Sequence, residues 1–174
     1  EMLKKAIKID PRNIEAYLEL GYCYRDQREH DKTEKMFRKV IEIDPGNIGA
    51  YLELGYYYRI QREYVKAQEM LKKAIEIDPR NIVAYLELGY CHRDQSDHIR
   101  AEEMFKKAIA VDPGNAEVYF GLGWRYKNRG DHVRAEEMFK KAIAVDPGDA
   151  RAYVGLGWRY RNLGDYVRAE DMFK

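Results

Sequence analysis

"YLELGYCYRDQREH", from Tyr17 to His30, returns as "YLELGYYYRIQREY" from Tyr51 and as "YLELGYCHRDQSDH" from Tyr85, a step of 34 residues. The step governs the rest of the chain. Asp-Pro recurs at Pro11, Pro45, Pro79, Pro113 and Pro147, the chain's five prolines, and the six methionines (Met2, Met36, Met70, Met104, Met138, Met172) keep the same interval. One glycine per period does so too, at Gly21, Gly55, Gly89, Gly123 and Gly157. Self-similarity at a fixed period of this length marks stacked repeats, each unit burying its apolar face on the next. A segment copied in this way is poorly suited to being a single active site.

Ala50, Tyr51, Leu54, Gly55 and Tyr58 fall at helical spacing and predict a first helix with one apolar stripe. Ala67, Met70, Leu71, Ala74, Ile75 and Ile77 predict a second, which must stop near Asp78 because the ring of Pro79 disfavours helical geometry in the residue before it. Asn13, Asn47, Asn81, Asn115 and Asp149 stand where a side-chain oxygen caps the next first helix, worth about 1 kcal/mol each. Gly130 and Gly164 supply left-handed helix ends, and Asp131 and Asp165 start the following helix. The unit reads as a helical hairpin.

Tyr119, Leu122-Gly123, Tyr126, Ala135, Phe139, Ala142 and Pro147 follow the signature of the tetratricopeptide repeat, and the whole chain resembles that family. Departures are small: Tyr17, Tyr51, Tyr85, Tyr119 and Tyr153 stand where the family commonly has Trp, His92 replaces a Tyr, and Thr33 and Val40 replace small alanines. The resemblance implies an all-α fold, a right-handed superhelical solenoid of antiparallel helix pairs whose first helices line a concave face. It divides 1–174 into a partial repeat at 1–13 with a second helix only, full repeats at 14–47, 48–81, 82–115 and 116–149, and a partial repeat at 150–174. "EMLKKAIKID" at the start matches "EMLKKAIEID" from Glu69, so the chain is expected to be a window of a longer array.

Composition narrows the partners. Net charge is +1 with 45% hydrophobic and 35% charged residues, the make-up of a folded, water-soluble domain. No apolar run approaches the roughly 20 residues of a membrane span, and the balance argues against nucleic-acid binding by charge alone. Cys23 and Cys91 lie two units apart, too far for a disulfide in a stacked array, and are expected as reduced thiols in a cytoplasmic setting. Pairs such as Glu102 with Lys106 and Glu136 with Lys140 suit a solvated outer helix face.

Catalytic chemistry finds no foothold. His30, His98 and His132 share one place in three units, which suits a turn or packing role; His92 beside Cys91 lacks the four donors that zinc needs. Ser96 and Thr33 have no base at a useful spacing. Gly121 to Gly123 lies within a helix pattern and is not a phosphate loop. The expectation is a non-enzyme with no cofactor and no metal.

Binding would use the first-helix residues that the hairpin core leaves over: Leu18, Tyr22 and Arg25; Leu52, Tyr56 and Arg59; Leu86, Tyr90 and Arg93; Phe120, Trp124 and Lys127; Val154, Trp158 and Arg161. Each unit offers one aromatic and, three residues on, one cation, a pairing that protein-binding surfaces concentrate. The aromatics would bury apolar side chains of a partner peptide while the cations select acidic or carbonyl-rich segments. Alternatively, the aromatics pack between units and the arginines bond Glu19, Glu53 or Glu87. Glu19, Glu53 and Glu87 give way to Gly121 and Gly155 where Tyr gives way to Trp, either making room for the indole or opening a pocket. Leu18, Leu52 and Leu86 stand where some family members carry a lysine that clamps a partner's terminal carboxylate, which makes a chaperone-tail adaptor improbable.

These residues point to a non-catalytic scaffold that binds a peptide segment of another protein. A self-assembling or engineered scaffold stacking head to tail through Leu3, Ile7 and Ile9 is a second class, since such contacts do not close. Single-stranded RNA stacked on the aromatics is a third, opposed by Glu19, Asp26, Glu53, Glu87 and Asp94 near the same face.

Overall fold

Every Asp-Pro ends a helix for two reasons that act together. Asp44, Asp78, Asp112 and Asp146 have extended backbones, with φ between −142° and −130°. Their carboxylates then accept the backbone N–H two residues on, as Asp44 does from Gly46 at 3.0 Å and Asp112 from Gly114 at 2.8 Å. This turn delivers the chain to Asn13, Asn47, Asn81, Asn115 or Asp149, whose side chain accepts an N–H of the next helix's first turn. The tyrosine hydroxyl that replaces the family's indole is also used: Tyr85 donates to the carbonyl of Pro79 at 3.2 Å and Tyr119 to that of Pro113 at 3.1 Å.

The computed structural model describes all 174 residues as eleven helices without a strand, 79% helical. No helix is long and apolar enough to cross a membrane. Two compact units divide the chain, Glu1–Glu87 and Leu88–Lys174. The first holds α1 (Met2–Ile9), α2 (Ile14–Asp26), α3 (His30–Ile43), α4 (Ile48–Ile60), α5 (Tyr64–Ile77) and the opening turns of α6 (Ile82–Asp94). There α2 pairs with α3 and α4 with α5, while α3 packs on α4 and α1 on α2. The second holds the rest of α6, then α7 (His98–Val111), α8 (Ala116–Asn128), α9 (His132–Val145), α10 (Ala150–Asn162) and α11 (Tyr166–Phe173), each packed on the next from α7 onward, with α8 also touching α10.

The core runs along the seam where first and second helices cross. Phe37, Phe105 and Phe139 are fully buried there, each ring worth about 1.5–3 kcal/mol of transfer free energy. The repeated glycine is what lets the helices approach. A methyl group on Gly123 would lie 2.6 Å from the Phe139 ring, and one on Gly89 would lie 2.8 Å from Phe105. On the far side the same rings meet Gly155, at 2.7 Å, and Gly121, at 3.0 Å. Each phenylalanine is therefore held between the glycine of its own hairpin and that of the next first helix. This corrects the indole reading of Gly121 and Gly155: the preceding hairpin's phenylalanine, rather than the tryptophan of the same helix, fills the space.

A polar network joins α7 to α8. Arg125 is fully buried, its Nε donating to the carbonyl of His98 at 2.7 Å and Nη2 to Glu102 at 3.1 Å. Tyr126 donates its hydroxyl to the same carboxylate at 2.9 Å, and Lys106 pairs with it at 2.8 Å. One hairpin later, Arg159, Glu136 and Lys140 repeat the arrangement.

The turn inside each hairpin needs one residue with left-handed backbone. Gly130 and Gly164 provide it at φ 80° and 75°, whereas Arg28, Arg62 and Ser96 adopt it at 58–61° against the clash of their Cβ atoms. Arg62→Gly is expected to stabilise the chain by about 0.5–1 kcal/mol, part of the relieved strain being offset by glycine's greater backbone entropy. Urea unfolding reads the gain as a higher midpoint. An unchanged or lower midpoint would remove strain from the account of this turn.

Candidate peptide-binding groove

The ladder of aromatics and cations exists, but much of it is spent within the chain. In the first unit the Tyr22 ring packs edge-on against Phe37 with centroids 5.5 Å apart, and the Arg25 guanidinium lies 5.1 Å from the Tyr22 centroid. Arg25 then reaches forward to the next first helix, donating to Glu53 at 2.7 Å. Arg59 repeats the move, over Tyr56 at 5.4 Å and donating to Glu87 at 2.9 Å. Burial raises the Glu53 pKa while Arg25 pulls against it. Tyr22 is raised as well, by burial first and then by Glu53. The arginine row thus finds its carboxylates on the neighbouring helix.

Leu18 packs on the cluster of Tyr17, Val40 and Ala50. Leu86 is 4% exposed and Tyr90 9%, so neither presents a surface to a ligand. The Tyr90 hydroxyl donates to Glu117 at 3.2 Å, its ring meets Phe105 edge-on, and Arg93 sits 4.7 Å from its centroid while pairing with Asp94 at 2.8 Å.

In the second unit Trp124 and Trp158 stand perpendicular with centroids 5.1 Å apart, and Phe120 meets Trp124 edge-on. Lys127 closes this cluster, its Nζ 3.7 Å from both indole centroids. Such a cation gains about 0.5–2 kcal/mol from the two ring faces. Burial, then Arg161, lowers the Lys127 pKa. Val154 and Arg161 are exposed beside it. The indoles that the sequence offers to a ligand are thus already occupied by the chain's own lysine.

An open apolar depression lies in the first unit, where α4 runs between α2 and the opening turns of α6. A trough of about 590 Å³ is lined by Arg25, Gly49, Leu52, Glu53, Tyr56, Ile60, Val83 and Glu87. Tyr56, Ile60 and Val83 are 37%, 53% and 51% exposed, three large apolar side chains facing water in one depression. Gly49 adds no side chain where other units carry Glu15, Glu117 or Arg151, which leaves that end unobstructed. A second cavity of about 380 Å³ shares the Arg25, Tyr56 and Ile60 wall and adds Arg28, His30, Tyr57 and Gln61.

Of the residues singled out in the sequence, Arg25, Leu52 and Tyr56 meet in this trough and Arg59 anchors its Glu87 edge. Val83 and Arg28 were missed. Val83 carries a signal, an apolar residue at a place that is polar or glycine in every other unit, whereas Arg28 lies outside the helix pattern. No three histidine, cysteine or carboxylate side chains converge as a metal site would require.

Comparisons with known proteins agree with this architecture. Tetratricopeptide repeat patterns match residues 14–47, 36–69, 81–148 and 128–174. No curated protein sequence gives a significant match. Among solved structures, the MamA protein is 30% identical over 92% of this chain and 87% of its own, with a TM-score of 0.73. YrrB, a TPR protein with an unusual peptide-binding site, is 23% identical over 99% of this chain and 89% of its own, TM-score 0.68. A chain of the APC/C hetero-tetramer Cut9–Hcn1 is 21% identical over 98% of this chain and 34% of its own, TM-score 0.83. The latter two show the fold alone. With the repeat patterns spread along its length and MamA aligned over most of both chains, the chain belongs to the tetratricopeptide repeat family.

Proposed function

We propose that the chain is a non-catalytic protein-interaction scaffold that binds a peptide segment of a partner in the trough over α4. The observation that carries this is the grouping of Tyr56, Ile60 and Val83, exposed together between walls made by the Arg25–Glu53 and Arg59–Glu87 pairs. An apolar floor with fixed polar edges suits a peptide that inserts one or two apolar side chains and meets the edges with its backbone. The fold hosts a peptide-binding site in YrrB and takes part in a hetero-tetramer in Cut9–Hcn1, which supports the reading. RNA fits less well, because the arginines that would meet phosphates already pair with Glu53 and Glu87. Cys23 and Cys91, which form no disulfide, suit a reducing cytoplasmic setting.

The test is selection from a random-peptide library with the whole chain as bait, followed by affinity measurement against Ile60→Asp. A charge set into the trough is expected to weaken the selected peptides at least tenfold, since each anchoring side chain is worth about 1.5–3 kcal/mol. Circular dichroism confirms that the variant is still helical. Equal binding by both chains would sink the trough as the site. Light scattering over a range of concentrations separately reports head-to-tail association.

A further inference from the structure

The second cavity is polar where the trough is apolar. Beyond the shared wall it is lined by Arg28, His30, Tyr57 and Gln61, with no carboxylate among them. Arg25 is already paired with Glu53 at 2.7 Å and Asp26 at 3.6 Å. Arg28 makes no hydrogen bond, ion pair or ring contact through its side chain, which leaves a whole guanidinium at the cavity edge. Gln61 bonds His30 through its amide nitrogen, Nε2 to Nδ1 at 3.0 Å. In the tautomer that accepts this amide hydrogen at Nδ1, the ring carries its proton on Nε2. Tyr57 stays a neutral hydroxyl donor, its pKa raised by burial first and then by Glu34, Glu63 and Asp31. Glu34 and Glu63 are themselves paired, with Arg38 at 2.7 Å and with Lys66 at 2.5 Å, while Asp31 stands beside His30 in the first turn of α3.

Arg28 also holds its place at a cost. It adopts φ 58° at the turn position that glycine fills at Gly130 and Gly164. Arg62 and Ser96 share this backbone, so the strain belongs to the hairpin turn and not to Arg28 alone. Here it accompanies a cavity lined by a free cation and donors.

We propose that this pocket is the anionic subsite of the groove, receiving a carboxylate of the same peptide whose apolar side chain occupies the trough. The proposal rests on the groove reading above. Arg28 supplies the charge, with the Tyr57 hydroxyl and His30 Nε2–H as neutral donors, and the shared wall of Arg25, Tyr56 and Ile60 puts the two subsites side by side. The carboxylate comes either from an Asp or Glu side chain or from the peptide's C-terminus, since both present the same two oxygens.

Peptides selected against the wild-type chain are synthesised as free acids and as C-terminal amides, with each Asp or Glu also exchanged for Asn or Gln. Their affinities are measured by fluorescence anisotropy for the wild type, Arg28→Gly, Arg28→Gln and Ile60→Asp. Arg28→Gly is expected to raise the melting temperature by a few degrees, yet weaken carboxylate-bearing peptides about tenfold, the loss of one charge-assisted contact. Arg28→Gln keeps the strained turn and should lose the same affinity without the stability gain. Neutral counterparts should bind all three chains alike. A loss confined to free acids assigns the C-terminus, and one that follows Asp or Glu assigns the side chain. Should both Arg28 variants bind every peptide as tightly as the wild type while Ile60→Asp does not, the subsite is overturned and the groove stands. If Ile60→Asp is also without effect, or the selection enriches no peptide, both readings fall.

Discussion

Phe139→Ala is expected to cost about 3–5 kcal/mol, the range for emptying a fully buried aromatic site. The ring is fully buried, clasped between Gly123 and Gly155, and its neighbours Phe120 and Trp124 lie with centroids 6.2 and 6.3 Å away. Two glycines have no side chains with which to collapse into the void, so the transfer and cavity contributions both remain. In a repeat array stability is carried by each hairpin and its contacts with the next. The damage should therefore appear as early opening of α9 to α11, read by hydrogen exchange, with α2 to α4 protected as before. Gly155→Ala approaches the same contact from the other side. Its methyl would sit 2.7 Å from the ring, an overpacking cost of about 1–3 kcal/mol that should shrink in the Phe139→Ala background. A loss below about 1 kcal/mol for Phe139→Ala, or additive costs in the double variant, would refute the clasp.

The second large effect is expected at Glu102. Glu102→Ala leaves the buried Arg125 guanidinium without its carboxylate and the Tyr126 hydroxyl without its acceptor, at a cost of about 3–5 kcal/mol. Burial already lowers the Arg125 pKa, and Glu102 works against that shift. Arg125→Met is expected to cost less, because Glu102 keeps Lys106 and Tyr126 and a flexible apolar chain replaces the arginine stem. The pair also carries a pH dependence with a definite sign. Burial opposes the charged Glu102, yet the hydrogen bonds of Lys106 and Tyr126 outweigh it and hold the carboxyl below its ordinary range. Its contribution is therefore complete at neutral pH and is lost as pH falls through the carboxylate range. Chemical denaturation of both single variants and the double variant at neutral and acidic pH measures this coupling. The account fails if Glu102→Ala costs no more than Arg125→Met.

Local chemistry was readable in the sequence because it needs no partner beyond a few residues. The Asn and Asp caps, the helix stop at each Asp-Pro and the left-handed Gly130 and Gly164 follow from side chains within one turn of each other. The fate of the arginine row was harder. Arg25 and Glu53 lie 28 residues apart, and only the stacking distance between first helices decides whether the ion pair closes. For the same reason the indole and the phenylalanine could not be told apart as the cause of Gly121. Arg28 was invisible, since a turn residue in an unexpected backbone region carries no helical periodicity.

The clasped phenylalanine has a consequence for how such an array can be cut and rejoined. Reading by period suggests a cassette running from one Asp-Pro to the next, yet that boundary falls between Phe139 and Gly155 and separates two halves of one contact. The transplantable module is instead a second helix together with the first helix that follows it, α9 with α10. Chimeras joined inside a hairpin turn part Phe139 only from Gly123, a glycine that every unit carries, whereas those joined at the proline must match the ring to Gly155, whose place holds Glu19, Glu53 or Glu87 in other units.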